Sequence, residues 1–193
     1  MAQQPSGNFL PGGLPVPVDD GACDHLTGMS FPCISMPSTE GAGKTVDPSS
    51  LAGLTIIFCY PRTAAQGEVV GDDWNAIPGA RGCTPQACSF RDLAKELEEL
   101  GVDRVFGVST QSTPYQQELK ERTHLPYQLL SDEEHIMINA LKLPTFSYNG
   151  TILIKRMSLA IRDGKIVKVW YPVFPSDRSA SDAVEWLKTQ KGS

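Results

Sequence analysis

The sequence predicts an α/β fold in which a mixed central sheet is flanked by helices. Two observations carry this. Along the middle of the chain, short β-branched and aromatic runs of the kind buried on both faces alternate with amphipathic helical stretches. Beyond them, two strand-like runs flank Asp163-Gly164, a two-residue hairpin signal, and a last helical stretch follows. With 193 residues, 40% hydrophobic and 20% charged, the chain is large enough for one domain with its own core and a tail.

Taken in order, residues 1–22 hold four prolines (5, 11, 15, 17) and four glycines (7, 12, 13, 21) without periodicity, and read as a flexible arm ahead of a domain over 23–193. Leu54–Tyr60 (LTIIFCY) is the first buried strand, followed by a long loop over Pro61–Gly82. A helix comes next, with Thr84 as N-cap, Pro85 at its first position and Gly101 closing it. Phe90, Leu93, Ala94, Leu97 and Leu100 form its apolar stripe. Val102–Ser109 reads as a second buried strand, Pro114–His124 as a helix, Tyr127–Leu130 as a strand and Asp132–Leu141 as a helix. Met157–Arg162 and Lys165–Tyr171 make the hairpin, and the last helix runs from Ser179, in a capping-box pattern with Asp182, to about Gln190. A βαβ unit with a right-handed crossover, then ββα on the same sheet, is the thioredoxin-like layout.

A formal charge of −5 argues against nucleic acid or an anionic membrane as partner. The longest apolar run, around Ile56–Tyr60, is too short to span a bilayer. No lysine or arginine precedes Lys44, which excludes a basic secretory leader and an Arg-rich transit peptide. Five cysteines, at 23, 33, 59, 83 and 88, are too few and too odd in number for a secreted disulfide scaffold, so the expected compartment is the reducing cytoplasm.

In such a compartment a cysteine pair is more often reactive than structural. Cys83 falls at a helix entrance, where unpaired N–H groups and the helix dipole favour a thiolate, and Arg81 is close in sequence. The plain alternative is two packed core thiols. Helical geometry weighs against it: at about 100° per residue, Cys88 lies about 160° from Phe90, away from the stripe. Zinc is a poor match, because the five-residue spacing and the positions of His25, His124 and His135 make no ligand set. No C-x-x-C is present.

Phe58-Cys59-Tyr60-Pro61, then Cys83-Thr84-Pro85-Gln86-Ala87-Cys88 with Phe90-Arg91-Asp92, resembles the Q class of peroxiredoxins, the bacterioferritin comigratory proteins. Leu129-Leu130-Ser131-Asp132, Arg156 ahead of the Ser158–Ile161 run, Asp163-Gly164-Lys165-Ile166 and Gly28–Pro37 are similar to it as well, so the likeness spans about residues 25–190. The resemblance implies an atypical two-cysteine, thiol-dependent peroxidase acting on hydrogen peroxide and organic hydroperoxides. It implies Cys83 as the peroxidatic cysteine, Cys88 as the resolving cysteine and Arg156 as the arginine that polarises the peroxide. It implies no cofactor or metal, and thioredoxin or a similar dithiol protein as reductant. With an intramolecular disulfide the monomer suffices. The same pair would also serve a protein thiol–disulfide oxidoreductase or a redox sensor. The chain departs from the family where a proline and a threonine or serine usually stand seven and three residues before the first cysteine: these positions are Ala76 and Ala80. Pro61 and Thr63 resemble the start of that motif, as though residues had been inserted after them, which leaves the hydroxyl to Thr63, to Thr84 or to backbone groups.

From their neighbours alone the remaining residues read plainly. Arg156 is a surface arginine beside Lys155, Cys59 a packed thiol, Cys23 and Cys33 bystanders near the arm, and His124 and His135 solvent-facing. Trp74 anchors the long loop.

Overall fold

In the computed structural model, which describes residue 10 and residues 12–191, five strands form one mixed sheet. A short antiparallel ladder, β1 (Met36–Pro37) with β2 (Thr45–Val46), precedes it. The chain then runs β3 (Leu54–Cys59), α1 (Asp72–Asn75), α2 (Cys83–Asp92), α3 (Ala94–Glu99), β4 (Arg104–Ser109), α4 (Thr113–Thr123), β5 (Gln128–Ser131), α5 (Ile136–Leu141), β6 (Thr145–Tyr148), β7 (Thr151–Ile154), β8 (Met157–Arg162), β9 (Lys165–Trp170) and α6 (Ser179–Lys191). The sheet order is β5-β4-β3-β8-β9, parallel among the first three and antiparallel across β3, β8 and β9. The expected βαβ and ββα units therefore share one sheet. Among the described residues no helix is long and apolar enough to cross a membrane.

Strand β3 lies at the centre with every residue buried, because both its faces are covered. Leu54, Ile56, Phe58 and Tyr60 point to a core closed by α2, α3, α4 and α6, where Phe90, Leu97, Leu119 and Val184 meet them. Ile57 and Cys59 point to the opposite core, closed by α5 and by Leu26 and Phe31 of the N-terminal segment. Phe58 stacks on Phe90 at 4.6 Å between centroids, which seats α2 on the sheet. Gly107 of β4 makes room for this: a Cβ there would come within 2.6 Å of both the Phe58 ring and Leu129. Burial of an aromatic side chain of this kind contributes about 1.5–3 kcal/mol.

The structure corrects the reading in several places. The predicted helix from 84 to 100 is two, α2 and α3, with Leu93 between them at φ −101° and ψ 9°, and both Phe90 and Leu97 still reach one core. Its N-cap is Gly82 rather than Thr84: φ is +104°, and a Cβ there would lie 2.1 Å from Ser176 Oγ. Helix α5 starts at Ile136 rather than Asp132, because the Asp132 carboxylate accepts from the amides of Met137 and Ile138 and so caps the helix from outside. Ser179 caps nothing, its hydroxyl being turned inward to Gln86 and Ser158. The β6–β7 hairpin, turning on Asn149-Gly150 with φ of 48° and 75°, carries a signal the sequence reading passed over.

Of the proposed arm, residues 1–9 and 11 lie outside the described residues. Farther along it, Asp20 pairs with Lys155 at 3.0 Å and accepts from the Tyr171 hydroxyl at 2.9 Å.

Candidate active site

Cys83 opens α2 immediately after the left-handed Gly82, so its side chain leaves the helix at the unpaired N–H end. Its sulfur lies 3.2 Å from Nη2 of Arg156 and 3.6 Å from the carbonyl oxygen of Ala80. Arg156 stands between β7 and β8 and is 3% exposed, so the surface reading of this residue gives way to a buried one. Four further acceptors fix its guanidinium: Nε donates to Gly79 O at 3.1 Å, Nη2 to Ala80 O at 3.0 Å and to Arg81 O at 3.3 Å, and Nη1 to Gln86 Oε1. The Gln86 amide in turn donates to Ser179 Oγ at 3.2 Å, and Ser179 and Ser158 share a 2.9 Å hydrogen bond. All these side chains are buried. A cation held by these acceptors thus faces the sulfur.

The sulfur opens onto a cleft of about 590 Å³. Much of its wall comes from the stretch between Arg62 and Gly82, which leads directly into Cys83. Trp74 of α1 anchors that stretch, buried against Phe146 and Tyr148 of the β6–β7 hairpin. Glu68 ties it further, accepting from Arg62, from the Ala65 amide and from the Tyr115 hydroxyl.

Cys88 lines the same cleft and stands outside the core clusters, on the face the helical arithmetic assigned to it. Burial pushes its thiol above the ordinary value, Arg91 and Arg122 acting in the opposite sense. No disulfide joins any of the five cysteines, and α2 is a regular helix from Cys83 through Cys88. In such a helix residues five apart have Cα atoms about 8.6 Å apart and point about 140° away from each other. A disulfide needs less than about 7 Å. The pair can close only if this part of α2 unwinds. Between the two cysteines, the Tyr127 hydroxyl donates to Ala87 O at 2.6 Å, and farther along Arg91 Nη1 donates to Thr123 O.

The hydroxyl left open by Ala80 is not supplied by Thr63, which gives its hydrogen bond to Gln111 at 3.2 Å. The Cys83 thiol donates to the backbone carbonyl of Ala80, an acceptor, so the donor facing the sulfur is Arg156 Nη2. Cys59 is fully buried in the core opposite α2, where desolvation raises its pKa. Cys23 is buried in that core too, against Met157, rather than a bystander on an arm, while Cys33 is exposed beside Asp47. Among the described residues no three His, Cys, Asp or Glu side chains come together to hold a metal ion. Sequence reasoning gave Gln86, Ser158 and Ser179 no role in the site. Gln86 had a readable signal, one helical turn after Cys83 and therefore on its face; the serines had none.

The Redoxin family matches residues 26–187. Peroxiredoxin Bcp of Escherichia coli K12 is 36% identical over 165 residues, covering 81% of this chain and 92% of the relative. Peroxiredoxin Bcp of Bacillus subtilis is 33% identical over 151 residues, covering 76% and 85%. Among solved structures, that of Peroxidoxin BcpB from Mycobacterium tuberculosis superposes with a TM-score of 0.67 at 28% identity, covering 86% of this chain and 98% of the other.

Proposed function

The chain belongs to the Redoxin family and, within it, to the Bcp-like, Q-class peroxiredoxins, which are thiol-dependent peroxidases, and on that premise we propose how its own residues run the reaction. Cys83, as thiolate, attacks the terminal oxygen of hydrogen peroxide or an organic hydroperoxide. The S–O bond forms as the O–O bond breaks; sulfur is oxidised to the sulfenic acid, and the departing oxygen takes a proton to leave as water or alcohol. Arg156 holds the negative charge that develops on that oxygen, its position fixed before substrate arrives. The observation that carries this reading is the 3.2 Å approach of Arg156 Nη2 to Cys83 Sγ at the first residue of α2.

The first turns of α2 then unwind, and the Cys88 thiol condenses with the sulfenic acid, releasing water and forming an intramolecular disulfide. An external dithiol protein, thioredoxin or one like it, reduces that disulfide by thiol exchange. Since both sulfurs lie in one helix, no second subunit is needed and the working unit is the monomer. A cycle that returns to the dithiol belongs in a reducing compartment, the cytoplasm.

Stopped-flow oxidation tests the assignment. Cys83→Ser loses peroxide consumption and Cys59→Ser keeps it. Equal loss in two folded variants would overturn the assignment.

A further inference from the structure

Leu10 and residues 12–22 lie upstream of the Redoxin match, which starts at residue 26, and they lean on the site from outside. Leu10 covers Gly82, the residue before Cys83: a Cβ built on Gly82 would stand 2.6 Å from Leu10 Cδ2. Pro17 covers Gly79 in the same way, its Cβ and Cγ 3.5 Å from the equivalent point. Both glycines are left-handed, with φ of 75° at Gly79 and 104° at Gly82, and offer bare backbone to these side chains. Val16 and Val18, either side of Pro17, turn outward to solvent. Two residues on, the Asp20 carboxylate is tied to Lys155 at 3.0 Å and to the Tyr171 hydroxyl at 2.9 Å. Lys155 directly precedes Arg156, whose guanidinium holds the carbonyls of Gly79, Ala80 and Arg81 from within. Residues 79–82 are thus clamped, with Arg156 inside and Leu10 and Pro17 outside. Disulfide closure has to undo the outer side of this clamp. Gly82 is the N-cap of α2, and its carbonyl accepts from the Gln86 amide at 3.0 Å. When the first turn unwinds, Gly82 changes its backbone angles directly beneath Leu10.

Resting on the peroxidase reading above, we propose that Leu10, Pro17 and Asp20 form a strap that keeps residues 79–82 folded for the first oxidation and sets how fast α2 unwinds after it. Asp20 is the latch, and Leu10 is the pad on Gly82. The strap thereby decides the fate of the sulfenic acid. Released, it lets the Cys88 thiol displace the sulfenic oxygen as water and form the S–S bond. Held, it leaves the sulfenic acid beside Arg156, open to a second peroxide. A new S–O bond then forms as the O–O bond breaks, sulfur is oxidised to the sulfinic acid, and the peroxide's other oxygen leaves as water. Two apolar side chains and one surface ion pair make a contact that opens more readily than the core beneath it.

The test compares the full chain with Leu10→Ala, Leu10→Met and Asp20→Ala. In the reduced proteins, amide exchange across residues 79–88 is expected to quicken about fivefold in Leu10→Ala, where a half-buried apolar contact is lost. Asp20→Ala should quicken it about twofold, as befits a surface ion pair. Leu10→Met, which refills the contact, should stay near wild type. After hydrogen peroxide, mass spectrometry of quenched samples should show sulfenic acid converting to disulfide faster by the same factors, with less sulfinic acid at high peroxide. The stopped-flow rate of the first oxidation should not change. Unaltered exchange or unaltered conversion in Leu10→Ala would overturn the proposal. So would exchange that quickens equally in β3 and β4, which would mark general destabilisation. If hydrogen peroxide leaves Cys83 unoxidised in the wild type, the peroxidase reading falls, and the exchange measurement alone decides whether the strap holds residues 79–82.

Discussion

The Tyr127 hydroxyl donates to the carbonyl oxygen of Ala87 at 2.6 Å, and so pins the stretch of α2 between the two cysteines to the start of β5. The proposed disulfide cannot form until this bond breaks. A buried neutral hydrogen bond of this kind contributes about 0.5–1.5 kcal/mol net, so Tyr127→Phe is expected to raise the unwound population up to about tenfold. Mass spectrometry of quenched samples would then show faster conversion of sulfenic acid to disulfide, with the first oxidation step unchanged. Equal conversion rates in the two proteins would show that this bond does not hold the helix shut.

Arg156 is expected to matter at the first step. Arg156→Ala removes the charge facing the departing oxygen and should cost about 2–4 kcal/mol of transition-state stabilisation, by analogy with loss of an oxyanion-hole donor. In rate this is about thirty- to a thousandfold in the second-order constant for peroxide. An unchanged constant in a folded variant would reduce the 3.2 Å contact to packing.

Gly107 is a packing prediction. A methyl group there would meet the Phe58 ring and Leu129 at 2.6 Å, in the layer that seats α2. Gly107→Ala is expected to destabilise the protein by about 1–3 kcal/mol, read as a lower urea midpoint. A midpoint equal to wild type would mean the two side chains move aside freely.

The buried thiols predict an alkaline limit. Burial, with Asp20, Asp19 and Asp24 adding to it, pushes Cys23 from 9.0 up to about 12. Its unfolded form ionises first, so the unfolded chain binds fewer protons above pH 9. The stability contributed by the neutral thiol is complete below that pH and is lost as pH rises toward 12, by at most about 1.4 kcal/mol per unit. Denaturant titrations near pH 8 and pH 10 should therefore show a smaller alkaline loss in Cys23→Ala than in wild type. Identical losses would contradict the burial account.

What was legible in the sequence was what repeats locally. The β-branched run of β3 and the Asp163-Gly164 turn between β8 and β9 announce themselves through propensity and turn chemistry, which act over a few residues. The break at Leu93 and the inward turn of Ser179 were not legible, since each depends on what a distant element offers: a core shared by Phe90 and Leu97, and the Gln86 amide. The same division runs through the site. Cys83 and Cys88 stand out by spacing and helical angle alone. Arg156 reads as a surface residue until the chain is folded, because its acceptors at Gly79, Ala80, Arg81 and Gln86 lie more than sixty residues away in sequence.

Catalysis as proposed requires Cys83 and Cys88 to close a disulfide within one chain after α2 unwinds. One equivalent of hydrogen peroxide, followed by non-reducing peptide mapping and amide exchange on the same sample, tests it most directly. The expected result is a monomer with a Cys83–Cys88 linked peptide and faster exchange across residues 84–90. Mainly interchain disulfides, a linkage through another cysteine, or unchanged exchange in that turn would contradict it.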